Sequence, residues 1–129
     1  MNLRTLQAVA ALWVPVLGVL VAVAAVGDAG EGWTVAGPVI VGGIGLASLA
    51  AIFWLRQRPI APGDDTAYRT TLLSRLALVE TAGLIGFALA IAVGPWWLVV
   101  VGAVPSLVGL WWSWPSPADR ERHELLYLI

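Results

Sequence analysis

Apolar residues in this chain do not alternate with polar ones. They fall into four long blocks cut by short polar or Pro/Gly breaks. The blocks run from about Thr5 to Val26, Trp33 to Leu55, Ala67 to Val93, and Trp96 to Trp112 or Trp114. Each is close to the ~20 residues a helix needs to cross a ~30 Å hydrocarbon core. The pattern therefore predicts four transmembrane helices, over 5–26, 33–55, 67–93 and 96–114. Pro15 and Gly18 interrupt the first, and both residue types are tolerated in spanning helices. A signal peptide competes for that block, with Arg4 at its basic end and a cleavage site near Ala24–Ala25. The apolar run is longer than the usual ~7–15 residues of such a peptide, which favours a retained helix. The expected fold is an all-α membrane protein, with one four-helix domain over residues 1–115 and a tail over 116–129. In the tail, Ser116 and Pro117 fit an N-cap and first helical position. They open either a short amphipathic helix over Asp119–Ile129 on the membrane surface or a frayed end.

Charge orients the helices. All seven cations are arginines. They lie at the N-terminus (Arg4), around the second connection (Arg56, Arg58, Arg69, Arg75) and in the tail (Arg120, Arg122). The first connection holds only Asp28 and Glu31, and the third, Gly94–Pro95, is an uncharged tight turn. By the positive-inside rule both termini and the 56–70 loop are cytoplasmic. Trp33, Trp96 and Trp97 then mark the outer interface, and Trp54, Trp111, Trp112 and Trp114 the inner one. Trp13 falls inside the first span, where packing against a neighbouring helix is the expected role.

Composition closes several function classes. Of 129 residues, 60% are hydrophobic and 12% charged, against about 25% charged in soluble domains. The chain has no Cys and one His, His123, so neither disulfides nor a thiolate or His-rich metal site is expected. No basic patch with interleaved aromatics suggests nucleic acid. No Ser/His/Asp set or phosphate loop suggests an enzyme, and neither a catalytic residue nor a cofactor is expected. The expected partners are the lipid bilayer and other membrane subunits or further copies of the chain.

One residue stands out against the apolar blocks. Glu80 lies near the middle of Leu72–Val93, about ten residues and so ~15 Å inside its helix. A charge at the bilayer centre costs roughly 3 kcal/mol on insertion scales, and intramembrane acids mark functional sites by default. Its helical neighbours Leu76, Ala77, Gly83 and Leu84 cannot pair with it, and Arg75 lies off to the side, nearer the cytoplasm. Desolvation disfavours the charged form of such a group, so it is expected to carry an exchangeable proton. The other reading of the residue is a protonated carboxyl in an interhelical hydrogen bond, with Ser48 or a backbone carbonyl as partner.

Small residues mark expected contact faces. Gly43, Ala47 and Ala51 repeat every four residues in the second helix, as do Ala82, Gly86 and Ala90 in the third. Such faces allow close backbone approach. With Gly37, Gly42 and Gly45 thinning the second helix and Gly83 beside Glu80, tight packing of helix two on helix three is expected.

The segment Gly37-Pro38-Val39-Ile40-Val41-Gly42-Gly43-Ile44-Gly45, then Arg56-Gln57-Arg58-Pro59, then Ala77-Leu78-Val79-Glu80-Thr81 with Gly86 and Ala90, resembles the proteolipid subunit c of rotary ATP synthases over about residues 36–93. That family has a glycine-rich first helix, a cytoplasmic Arg-Gln-Pro loop and a second helix with an ion-binding carboxylate. The resemblance implies that Glu80 is that carboxylate and that Arg56, Gln57 and Pro59, in the run Arg56-Gln57-Arg58-Pro59, form the polar loop; Thr81 beside Glu80 and Ser48 at similar depth are further ion-binding candidates. Subunit c is a two-helix hairpin, whereas this chain adds a helix on each side. The chain also looks similar to uncharacterised four-helix bacterial membrane proteins with a Pro-Ser/Thr-x-x-Asp/Glu-Arg tail, here Pro115 to Arg120, which implies a multi-pass protein of the bacterial inner membrane. Small multidrug-type transporters carry their essential Glu in the first helix rather than the third. Two functions remain open from the sequence: proton or cation handling at Glu80 within an oligomer or larger complex, and an accessory or assembly subunit in which Glu80 makes a structural helix contact.

Overall fold

Where two helices must cross closely, only a hydrogen in place of a side chain fits, and one such crossing organises this fold. The computed structural model describes residues 2–27, 30 and 32–129. Asp28 and Glu31 of the first connection lie outside the described residues. Those described form five helices and no strand: α1 (Leu3–Val26), α2 (Ala36–Arg56), α3 (Asp65–Ala92), α4 (Leu98–Trp112) and α5 (Pro117–Leu128). Helices α1, α2 and α3 are each long and apolar enough to cross a membrane. The fourth apolar block yields a shorter helix than its length predicts. Trp96 and Trp97 are taken up in the turn after Gly94–Pro95, and Ser113 closes α4, which leaves 15 residues. Helix α5 follows after a bend of 71°, so the count of membrane-length helices is three, or four if the bent pair is taken as one.

Helices α3 and α4 pack most extensively, α2 lies against both, and α1 covers them more sparsely. At the α3–α4 crossing a Cβ built on Gly86 would lie 2.7 Å from the Leu98 carbonyl oxygen, and one on Gly102 would run into the Ala82 carbonyl. Ala82, Gly86 and Ala90 are all buried, but Gly86 and Ala82 are spent on α4. The close crossing is therefore α3 on α4, where the sequence pattern points to α2 on α3. Helix α2 turns Gly37, Val41, Gly45, Ser48 and Ile52 inward. Gly37 makes room for Leu98, and Gly45 for the ring of Pro105. The Gly43–Ala47–Ala51 stripe is rotated away. Gly43 and Ala47 are exposed, Ala51 is half-buried, and nothing lies within 4 Å of a Cβ at Gly42 or Gly43. The stripe lost to the inward face because Gly45 and Gly37 meet the bulky groups of α4.

Trp13 is buried, with the hydrophobic cluster of Leu6, Leu17, Leu72, Leu76 and Leu110 around it. At one end of the bundle the Gly32 and Trp33 amides donate to the Val93 and Gly94 carbonyls at 3.0 and 3.2 Å, which joins the two connections there. Around the outside, aliphatic side chains such as Leu12, Val19, Val39, Leu46 and Val104 are exposed. Exposed apolar surface of this extent is what a bilayer covers.

Gly102→Ala should lower the thermal midpoint in detergent, by an overpacking cost of about 1–3 kcal/mol. Gly43→Ala, which meets open space, should leave it unchanged. Equal behaviour of the two variants would contradict the α3–α4 crossing.

Candidate functional site

The buried positions of α3 include Leu72, Arg75, Leu76, Val79, Ala82, Gly83 and Gly86, one side of a helix. Glu80 falls between them and is exposed. It borders a crevice of only about 10 Å³ with Ala10 and Trp13 of α1, Leu76 and Val79 of α3 and Leu110 of α4. No hydrogen bond or ion pair within the described residues reaches its carboxylate. The predicted ion-binding set is not assembled. Ser48 is buried on the inward face of α2, while Glu80 looks out beside α1. The Thr81 hydroxyl donates to the Ala77 carbonyl at 2.9 Å. The expected Glu80–Ser48 bond is therefore not made, because the two residues occupy opposite sides of α3.

A short polar relay runs directly behind Glu80. The Trp13 indole N–H donates to Ser106 Oγ at 2.6 Å, and that hydroxyl donates to the Val79 carbonyl at 2.5 Å. The relay joins α1, α4 and α3 one residue from Glu80. Gly83 leaves the room in which Trp13 and Leu17 sit. It also accounts for a tryptophan deep in the first apolar block.

The second polar centre lies at the arginine-rich end. Arg75 is fully buried and Asp119 of α5 is 4% exposed. The guanidinium forks onto the carboxylate, Nη1 to Oδ1 at 3.0 Å and Nη2 to Oδ2 at 2.6 Å. The Tyr68 hydroxyl donates to Oδ2 at 2.8 Å and Arg122 Nη2 to Oδ1 at 2.7 Å. Ser116 caps α5 by accepting from the Asp119 amide, at 3.0 Å, as the Ser-Pro pair predicts. The loop after α2 is held in the same place. Arg122 Nε donates to the Arg56 carbonyl at 3.3 Å, the Ile60 amide to the His123 carbonyl at 3.1 Å, and Arg58 Nη1 to Thr71 Oγ1 at 3.1 Å. His123 Nδ1 lies 2.7 Å from the Arg58 carbonyl. A carbonyl only accepts, so Nδ1 carries the proton, and Nε2 is buried without a partner. Arg56 lies over the Trp112 ring at 5.3 Å, and Gln57 and Pro59 are exposed. On the near side of α1, Gln7 Nε2 donates to the Pro115 carbonyl at 2.9 Å.

This centre was not legible from Arg75 alone. Tyr68 and Arg75 are seven residues apart, two helical turns on one face, which hints at a shared partner. The partner lies 44 residues further on, and nothing local selects it. Burial alone would raise the Asp119 carboxyl. The hydrogen bonds and charge of Arg75, with those of Tyr68 and Arg122, hold it below its ordinary value. Burial pushes the His123 imidazole down, its bond to Arg58 opposes this, and the charges of Arg75 and Arg122 add to the lowering. Among the described residues no three His, Cys, Asp or Glu side chains gather as metal ligands. No protein-family model matches the chain, and no curated protein or solved structure matches it either.

Asp119→Asn removes the charge that balances a buried guanidinium, and should destabilise the docked α5 by about 3–5 kcal/mol. Arg75→Met combined with Asp119→Leu should cost less than Asp119→Asn alone. Thermal unfolding of the two variants checks the order, and a double variant that loses more than Asp119→Asn would refute the pairing. Docking should also weaken in acid. Both groups are depressed in the docked state, so the undocked state binds more protons as pH falls. The loss begins as pH drops below the ordinary His value of 6.5 and deepens below the ordinary Asp value of 3.8. Amide hydrogen exchange in α5, corrected for intrinsic rates, should therefore accelerate on crossing 6.5 downward.

Proposed function

We propose that this chain is a multi-pass protein of the bacterial inner membrane, crossing four times with both termini cytoplasmic. In this reading it works inside an oligomer or larger membrane complex, where Glu80 takes up and releases a proton or cation. The observation that carries it is the position of Glu80: mid-helix, facing outward, with no partner among the described residues. A carboxyl in that place must be met by another chain or held neutral, since leaving it charged against lipid costs roughly 3 kcal/mol or more. The Arg75–Asp119 centre cannot serve it, because every oxygen there is already bonded within the chain.

The resemblance to subunit c supports a carboxylate of the same kind on α3. The fold argues against an equivalent ring. Helix α4 occupies the Ala82–Gly86 face of α3, and α1 flanks Glu80, so copies would meet along other surfaces. The alternative is an accessory or assembly subunit whose Glu80 pairs with a polar group of a partner. The outward Gly43–Ala47 surface of α2 favours this second reading, since it is open to close approach by another helix.

Glu80→Gln separates the two. In vesicles carrying the native complex, ion handling requires that the variant assemble normally and lose proton or cation flux to background. Normal flux through the assembled variant would end that reading. Loss of co-purifying subunits or of self-association would instead assign Glu80 to partner pairing.

A further inference from the structure

The arginine-rich end holds more positive charge than it neutralises. Three guanidiniums, those of Arg56, Arg75 and Arg122, surround one carboxylate, Asp119, and Asp119 is bonded by Arg75, Arg122 and Tyr68. No acid is left for Arg56. Among the described residues its guanidinium makes no hydrogen bond, its Nε is buried without a partner, and its one contact of note is the face of Trp112. Arg122 uses Nε and Nη2 on Arg56 and Asp119 and keeps Nη1 for something else. A buried polar group without a partner is costly and calls for an explanation.

These two guanidiniums line one open groove of about 470 Å³, together with Trp111, Trp112, Trp114, Ser116 and Asp119. The groove sits where α4 ends and α5 bends away by 71°. Trp111 is 78% exposed and Trp114 39%, so indoles form its rim, and the Asp119 carboxylate in its wall is 4% exposed and already bonded by Arg75, Arg122 and Tyr68. Arginine forks match phosphate oxygens bidentately. Tryptophans at this level belong at the headgroup boundary, where a ring is apolar on one side and wet on the other. Basic pockets at the cytoplasmic ends of membrane helices attract anionic headgroups. A soluble phosphate ester would use the same guanidiniums but would gain nothing from the outward indoles.

We propose that the groove between the ends of α2 and α4 and the start of α5 binds the phosphodiester of an anionic phospholipid of the cytoplasmic leaflet, with Arg56 and Arg122 on the phosphate and Trp111 and Trp114 against the glycerol and first methylenes. The proposal rests on this end of the chain being cytoplasmic and membrane-embedded, and is independent of what Glu80 does. The bound headgroup supplies the negative charge the cluster lacks. It also links α2 and α5 to the same lipid.

The test is native mass spectrometry of the full-length protein released from neutral detergent, with phosphatidylglycerol, phosphatidylcholine or soluble glycerol phosphate added. One phosphatidylglycerol should stay bound under conditions that strip phosphatidylcholine. Arg56→Gln should weaken that retention by about tenfold, the scale of a lost charged hydrogen bond. Arg69→Gln, a cytoplasmic arginine outside the groove, should retain the lipid like the unaltered protein. Equal retention of the two lipids by the unaltered protein overturns the proposal whatever the variants do. So does an Arg56→Gln protein, unchanged in melting, that holds phosphatidylglycerol as before. Displacement of the lipid by an equal concentration of glycerol phosphate would assign the groove to soluble phosphate esters and overturn the lipid assignment. Because none of these readouts involves ion flux, failure here leaves the reading of Glu80 standing, and the reverse holds too.

Discussion

A guanidinium with no access to water has to be matched, and the match for Arg75 is what holds one end of this molecule together. Asp119 supplies the charge and both oxygens, Tyr68 and Arg122 complete its hydrogen bonds, and α5 is thereby fixed to α3 by polar contacts. The loop after α2 is drawn in through the Arg56, Arg58 and Ile60 backbone. An apolar helix could slide on an apolar neighbour at small cost, whereas a forked ion pair has one register. Two different materials thus build the fold: glycine contacts between α3 and α4 in the apolar part, and a dense polar knot where the helices end.

The polarity of α5 follows from the same constraint. Its buried residues are Asp119 and His123, the reverse of an ordinary amphipathic helix, while Leu125, Tyr127 and Leu128 are exposed. Periodicity of apolar residues identifies a helix here but assigns its faces the wrong way round, because the groove it docks on is lined by charge. A helix of this kind shows its apolar side to whatever surrounds the bundle end.

Much of the architecture was legible in the sequence. The apolar blocks correspond to helices within a few residues, and the Ser116–Pro117 start of α5 follows from capping chemistry alone. What was not legible depends on distant partners. Gly43 and Gly45 are indistinguishable by composition, yet only Gly45 faces Pro105. The shortening of α4 comes from a turn that takes Trp96 and Trp97 out of the helix. Glu80 was recognisable at once because it breaks an apolar run, whereas its outward direction needed the phase of α3, which Arg75 sets. Trp13 had no local explanation, since Ser106 lies 93 residues away.

The separation between Arg75 and Asp119 also bears on how the protein is made. The chain leaves the ribosome in order, so α3 enters the membrane 44 residues before its counter-charge has been synthesised. Until then Arg75 has to reach toward the aqueous boundary along its own aliphatic stem, the usual resort of a long cationic side chain near a helix end. The α3–α4 crossing forms from apolar surfaces alone and is free to come first. The arginine-rich end therefore closes after the α3–α4 crossing, when the polar helix α5 docks.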